Sequence, residues 1–127
     1  QLSTTVLVLC LVSVPVAWFY LPQSDIHQEG VEYREAGLWL KTQPGSNVMS
    51  RKVQPAFYAG KNHIDTTATY EQLLYSDADY VVFDKRISWQ VRPQLRFLLE
   101  KDKVDGLELV YTYEDDKYPL KIWKILK

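Results

Sequence analysis

The chain of 127 residues contains one cysteine, Cys10. No intrachain disulfide can form, and no cysteine-rich metal site can be assembled. Histidine is nearly as scarce: His27 and His63 stand far apart, and neither has a second ligand at metal spacing. Glycine numbers five, and Gly60 stands alone, so the glycine-rich loop that cradles phosphates is missing. No G-x-S-x-G nucleophile elbow occurs either. No metal and no cofactor is therefore expected. An excess of one charge is also lacking, with 15 Lys and Arg against 16 Asp and Glu for a net charge of −1. That balance gives no electrostatic footprint for nucleic acid. Hydrophobic residues make up 46% of the chain, which argues against disorder, and the length allows a single domain.

What is present is unevenly placed. From Leu2 to Leu21 not one charged residue occurs, and all 31 Lys, Arg, Asp and Glu side chains follow that run. Twenty residues of helix span roughly 30 Å, the thickness of a bilayer's hydrocarbon core. Trp18, Phe19 and Tyr20 close the run with rings suited to the headgroup boundary, and Pro22 follows. A secretory signal peptide would open on Met and basic residues and end on small ones, whereas this run opens on Gln1 and ends on bulky aromatics. A buried element of the soluble fold is the other alternative. The expectation is a membrane-spanning helix over residues 1–22, a linker over 23–31 and a soluble α/β domain over 32–127. The lack of an initiator Met leads us to expect a longer protein of which this is the carboxyl end.

Beyond Pro22 the pattern alternates. Tyr33 to Thr42 reads as an amphipathic helix stopped by Pro44-Gly45. Asn47 to Arg51 is a short strand, and Pro55 to Ala59 a helical turn with Gly60 just past its end. His63 to Asp65 is a second short strand. Thr67 to Asp77 is helical, with Thr69 and Gln72 placed as a capping box. Asp79 to Asp84, DYVVFD, is the clearest strand; its unbroken apolar run predicts cover on both faces. Ser88 to Glu100 is a further helix, with Leu95, Leu98 and Leu99 inward and Pro93 in its first turn or kinking it. Leu107 to Tyr113 and Leu120 to Leu126 form an antiparallel hairpin, turning through Asp115-Asp116. The alternation of Lys121, Ile122, Trp123, Lys124 and Ile125 predicts that one face of it is wet. The sum is a small open, mostly parallel α/β sheet in three layers, with flanking helices and a carboxyl-terminal hairpin.

In open α/β sheets ligands bind outside the carboxyl ends of the strands. The first strand delivers Arg51 and Lys52 to that edge, and DYVVFD delivers Asp84, Lys85 and Arg86. With Tyr58, Lys61 and His63 they are the candidate ligand-binding residues, able to hold a sugar or phosphate by charge-assisted bonds and stacking. The competing view is solvated charge at strand ends, with Ala56, Phe57 and Tyr58 as packing. No catalytic constellation is visible. Asp77 and Asp79 form a D-x-D pair, but at the amino end of a strand.

The order of parts resembles a known family. A hydrophobic run precedes L-W-L-K (Leu38–Lys41), S-R-K-V-Q-P-A-F-Y-A-G-K (Ser50–Lys61), A-D-Y-V-V-F-D (Ala78–Asp84), R-P-Q-L-R-F-L-L (Arg92–Leu99) and G-L-E-L-V-Y (Gly106–Tyr111). This is similar to the carboxyl-terminal region of polytopic membrane glycosyltransferases of the dolichyl-phosphate-mannose–protein mannosyltransferase type, glycosyltransferase family 39. The resemblance implies a soluble tail domain on the extracytoplasmic face of the cell membrane, in an enzyme that takes a sugar from a polyprenyl-phosphate carrier. The implied partners are the rest of that enzyme and a lipid-linked sugar or acceptor. The family's catalytic acid lies in an upstream loop that nothing here matches, so no catalytic residue is expected in this segment. The alternative is a self-contained, membrane-anchored α/β module that binds an anionic or sugar ligand.

Overall fold

The computed structural model describes residues 30–127. The expected spanning helix and most of the expected linker lie outside the described residues. Among the described residues no helix is long and apolar enough to cross a membrane.

The organising element is the strand Tyr80–Asp84 (β3), whose five residues are all buried. Alternate side chains of a strand point to opposite faces, so this strand feeds two cores at once. Tyr80 and Val82 pack with Val48, Leu120 and Ile122 on one face. Val81 and Phe83 pack with Met49 and Trp123 on the other. Fully burying side chains of this size contributes roughly 1.5–3 kcal/mol apiece. The unbroken apolar run is thus the signature of cover on both faces.

Around β3 the strands Asn47–Ser50 (β1), Asn62–Asp65 (β2), Leu107–Tyr113 (β4) and Leu120–Ile125 (β5) complete one sheet in the order β2-β1-β3-β5-β4. β1 pairs in parallel with β2 and β3, while β5 runs antiparallel to both β3 and β4. The sheet is therefore mixed, not mostly parallel as expected: two parallel pairings are followed by two antiparallel ones, because the carboxyl-terminal hairpin joins the same sheet beside β3. One face is covered by helices α1 (Val31–Lys41) and α2 (Gln54–Ala59), through Tyr33, Ala36, Leu40, Ala56 and Ala59. The other is covered by α3 (Tyr70–Leu74) and a helical stretch between β3 and β4, through Leu73, Leu95, Leu98 and Leu99.

Two further expectations need correction. Neither face of β5 is wet as a whole: Leu120 and Ile122 pack into one core and Trp123 and Ile125 into the other, because helices cover both faces of the sheet, and of the strand's residues Lys124 is exposed. Lys121, partly buried, still reaches polar partners. Lys121 threads its aliphatic stem along the core and sets Nζ 2.8 Å from the Lys101 carbonyl and 2.8 Å from Asp102 Oδ1. The half-exposed edge strand is β4, where the register shifts between Leu109 and Tyr111. A bulge there twists the edge away from further pairing.

The second correction concerns residues 88–100, which form a helix (Ser88–Val91, α4), a 3-10 turn (Pro93–Leu95) and a second helix (Phe97–Glu100, α5). Proline clashes with a helical conformation in the residue before it. Arg92 accordingly sits at φ −125°, ψ 63°, outside the helical region. The expected leucines do face the core. Helix α3 is shorter than the periodicity predicts, but its start is where the capping pattern puts it: Thr69 Oγ1 accepts from the Gln72 amide at 3.2 Å.

Candidate functional site

Because β1 and β3 are parallel neighbours, their carboxyl ends bring Arg51-Lys52 and Asp84-Lys85-Arg86 to one edge of the sheet. The connection after β1 leads to α2 on one face, and that after β3 to α4 on the other. Chains diverging to opposite faces leave the kind of crevice at which α/β proteins bind ligands.

Within that edge the carboxylates are already engaged. Asp84 is 2% exposed. Its Oδ2 accepts from the Tyr33 hydroxyl at 2.5 Å and the Ile87 amide at 3.3 Å, and its Oδ1 from the Ser88 hydroxyl at 2.7 Å. Three donors on one carboxylate is how a buried charge is tolerated. Burial, and then the charge of Asp84, push the Tyr33 phenol well above its ordinary range, so it stays a donor. Beside this pair, Glu32 accepts from Arg86 Nε at 2.7 Å and Nη2 at 3.4 Å. The Arg86 guanidinium also lies 3.7 Å from the centroid of the Tyr118 ring. The hydrogen bond to Glu32 holds the Arg86 guanidinium protonated beyond its usual range. Glu32, Tyr33, Ser88 and Tyr118 were not singled out by sequence. The one local signal was Ser88, four residues past Asp84 at the head of a helix.

The other candidates do not all join this edge. Lys61 lies at the opposite one: its Nζ donates to the Gln43 carbonyl at 2.9 Å and to the Gly45 carbonyl, both ahead of β1. The reason is topological. A parallel crossover returns the chain to the amino edge before the next strand starts, so a residue just ahead of β2 cannot share an edge with one just after β1. Tyr58 is taken up in the crossing of α1 and α2. A methyl group added at Gly37 would come within 2.5 Å of Tyr58 Cβ, so the two helices are in backbone-level contact there. His63 sits one residue into β2, and its Nε2 lies 2.9 Å from the Ser50 carbonyl oxygen. Lys52 is exposed.

Two residues that sequence reasoning passed over belong to the same edge. Thr66 follows β2 directly and is 3% exposed. Arg92 reaches across from the other helical layer and donates from Nη2 to the Thr66 carbonyl at 3.4 Å. Arg51 Nη1 lies 3.5 Å from Asp65 Oδ1. The D-x-D aspartates have structural work at the amino edge: Asp79 Oδ2 accepts from the amides of Ser46 at 2.9 Å and Asn47 at 3.0 Å. Those bonds, the Ser46 amide first, hold its carboxyl below the usual aspartate range.

Among the described residues no three His, Cys, Asp or Glu side chains gather as metal ligands. One open surface groove lies beside the β4–β5 turn (Glu114, Asp115), which meets the carboxyl end of β3 where Asp84 pairs with Leu120; two others run along Asp102–Leu109 and between Tyr70 and Lys101. The edge thus presents the cations Arg51, Lys52, Lys85 and Arg92 over a foundation of neutralised carboxylates. Chemically these cations can hold an anion, while the exposed acids Glu114, Asp115 and Asp116 of the β4–β5 turn stand at the same edge. Set against known proteins, the chain matches no family model, no curated protein and no solved structure.

Proposed function

We propose that this chain is the carboxyl-terminal part of a membrane glycosyltransferase that uses a polyprenyl-phosphate sugar, and that residues 32–127 are its extracytoplasmic accessory domain. On this reading the domain holds or guides an anionic substrate, and the chemistry belongs to another part of the enzyme. The observation that carries it is the state of the two buried carboxylates at this edge: Asp84, at the end of β3, is saturated by three donors, and Glu32, on α1, is clamped by Arg86. General acid–base work requires a carboxyl group that can gain and lose a proton against a substrate, and these are committed to the fold. The cations around them remain available. The resemblance in Ser50–Lys61, Ala78–Asp84 and Arg92–Leu99 supports the same reading, since these segments build the β1 exit, β3 and the broken helix that together frame this edge.

The coding sequence upstream of Gln1 tests the proposal directly. Several further hydrophobic spans and an acidic first extracytoplasmic loop are expected there; a start codon immediately before Gln1 would overturn it. A second check is transfer itself. The 127-residue chain, incubated with polyprenyl-phosphate sugar and an acceptor peptide, should transfer nothing, and turnover by the isolated chain would sink the non-catalytic reading. The alternative, a self-contained anchored module for an anionic ligand, draws on the same exposed cations and differs in predicting no catalytic partner.

A further inference from the structure

Four buried side-chain polar atoms have no hydrogen-bond partner among the described residues: Arg51 Nε, Gln54 Oε1, Thr66 Oγ1 and Arg92 Nε. Three of them belong to residues linked to the chain just past the end of β2. Ser50 and Asp65 are in register across the parallel ladder, so Arg51 and Thr66 leave neighbouring strands at the same level. Arg51 reaches the Asp65 carboxylate through Nη1, and Arg92 reaches the Thr66 carbonyl through Nη2. Both contacts, at 3.5 and 3.4 Å, are at the long limit of hydrogen bonding.

A fold gains nothing from burying unpaired donors; each such group bears a desolvation cost, larger when the group is charged. Guanidinium groups cannot shed that charge, since arginine stays protonated. Thr66, 3% exposed, directly follows the Asp65 that Arg51 contacts and offers its own carbonyl to Arg92, so the two guanidinium groups and the threonine hydroxyl gather along one short piece of chain as a donor set. The acceptor that suits two guanidinium forks and a hydroxyl is a tetrahedral oxyanion, because its oxygens accept several bonds at once and match the planar fork.

We infer that Arg51, Thr66 and Arg92 form a binding site for a phosphate-class anion, at the carboxyl edge between β1 and β2. The site is separate from the Glu32–Arg86 and Tyr33–Asp84–Ser88 pairs, which are internally satisfied. Asp65 acts as a built-in competitor. Its side chain is 69% exposed and holds one Arg51 nitrogen loosely, so an entering anion displaces a weak, solvated contact. Lys52, exposed next to Arg51, adds long-range attraction. The inference requires only these residues and holds whether or not the chain belongs to a transferase.

The test uses the full 127-residue chain in phosphatidylcholine nanodiscs, with Nε–Hε resonances of Arg51 and Arg92 followed by NMR. Three probes are titrated: inorganic phosphate, a soluble hexose phosphate, and polyprenyl phosphate incorporated in the disc. Saturable shifts at both arginines are expected. Movement with the soluble probes identifies a free phosphate compound as the ligand, and movement with the disc-borne probe alone identifies a lipid headgroup. Thr66→Val removes the hydroxyl at nearly constant shape, and Arg92→Lys keeps the charge but loses the fork. Each should weaken binding about tenfold, the equivalent of one charge-assisted hydrogen bond. Asp65→Asn should strengthen it. Arginine resonances unmoved by all three probes would overturn the site, as would wild-type affinity in Thr66→Val, which leaves charge and fold in place.

Discussion

At the scale of single residues, the best-determined feature is Asp84. Its three donors come from an early helix, a turn and the next helix, so this one carboxylate ties together segments that are distant in sequence. Tyr33→Phe removes one donor and should cost about 1–2 kcal/mol; Asp84→Ala strands all three and should cost about 3 kcal/mol or more, both read from urea unfolding. The raised Tyr33 pKa adds a pH signature. The unfolded phenol ionises near 10.0, and the folded one well above it. The contribution is therefore fully present below pH 10 and lost as pH rises beyond it. Burial also raises Tyr70, Tyr80 and Tyr111, so ultraviolet titration of the wild type should show several late-ionising tyrosines, and Tyr33→Phe should shrink that late phase by one phenol. Asp79 behaves with the opposite sign. Its folded pKa is depressed, so its contribution is present above the ordinary value of 3.8 and lost as pH falls below it. Asp79→Asn should flatten the acid limb of the stability curve. Of these roles, sequence reading found the strand-end position of Asp84 but not its partners. The Ser88 hydroxyl lies only four residues from Asp84, but the meeting of Tyr33 with Asp84 spans 51 residues and no local pattern encodes it.

At the scale of elements, the crossing of α1 and α2 is held by the absence of a side chain. Alanine favours helix over glycine by about 1 kcal/mol, so Gly37→Ala would stabilise an isolated α1. In the fold the added methyl meets Tyr58 Cβ at 2.5 Å and the Pro55 carbonyl at 2.8 Å. Separating the helices should outweigh the propensity gain, for a net loss of about 1–3 kcal/mol in thermal or urea unfolding. Capping is simpler: Thr69→Ala should destabilise by about 1 kcal/mol through loss of the bond to the Gln72 amide. Local chemistry announced this cap, the Gly60 terminus of α2 and the β3 strand, because each depends on residues within a few positions of one another. It expected Pro93 in the first turn of a helix or at a kink, where the stretch 88–100 in fact breaks into separate pieces, and it misjudged the wetness of β5. The first was a contest between periodicity and Pro93, which the proline won. The second turned on helical layers that pack against both faces of the sheet and bury Leu120 and Ile122 on one side and Trp123 and Ile125 on the other.

At the scale of the whole molecule, two cores on opposite faces of one sheet make residues 31–127 a unit with its own interior. A fragment of residues 25–127 should therefore fold without detergent and give well-dispersed NMR spectra; broad, collapsed spectra would contradict the domain boundary. The alternation of strands and helices, the two-sided burial of DYVVFD and the inward leucines were legible from the residue pattern, because burial and periodicity are local consequences of side-chain chemistry. The order β2-β1-β3-β5-β4 was not, since five strands of suitable pattern can be arranged in several ways. That order decided the functional reading. It placed Arg51, Thr66 and Arg92 on one edge and sent Lys61 to the other, while enclosing Asp84 and Arg86 in pairs. Charge and spacing could nominate these side chains, but only the pairing of strands distant in sequence determines which of them share a surface.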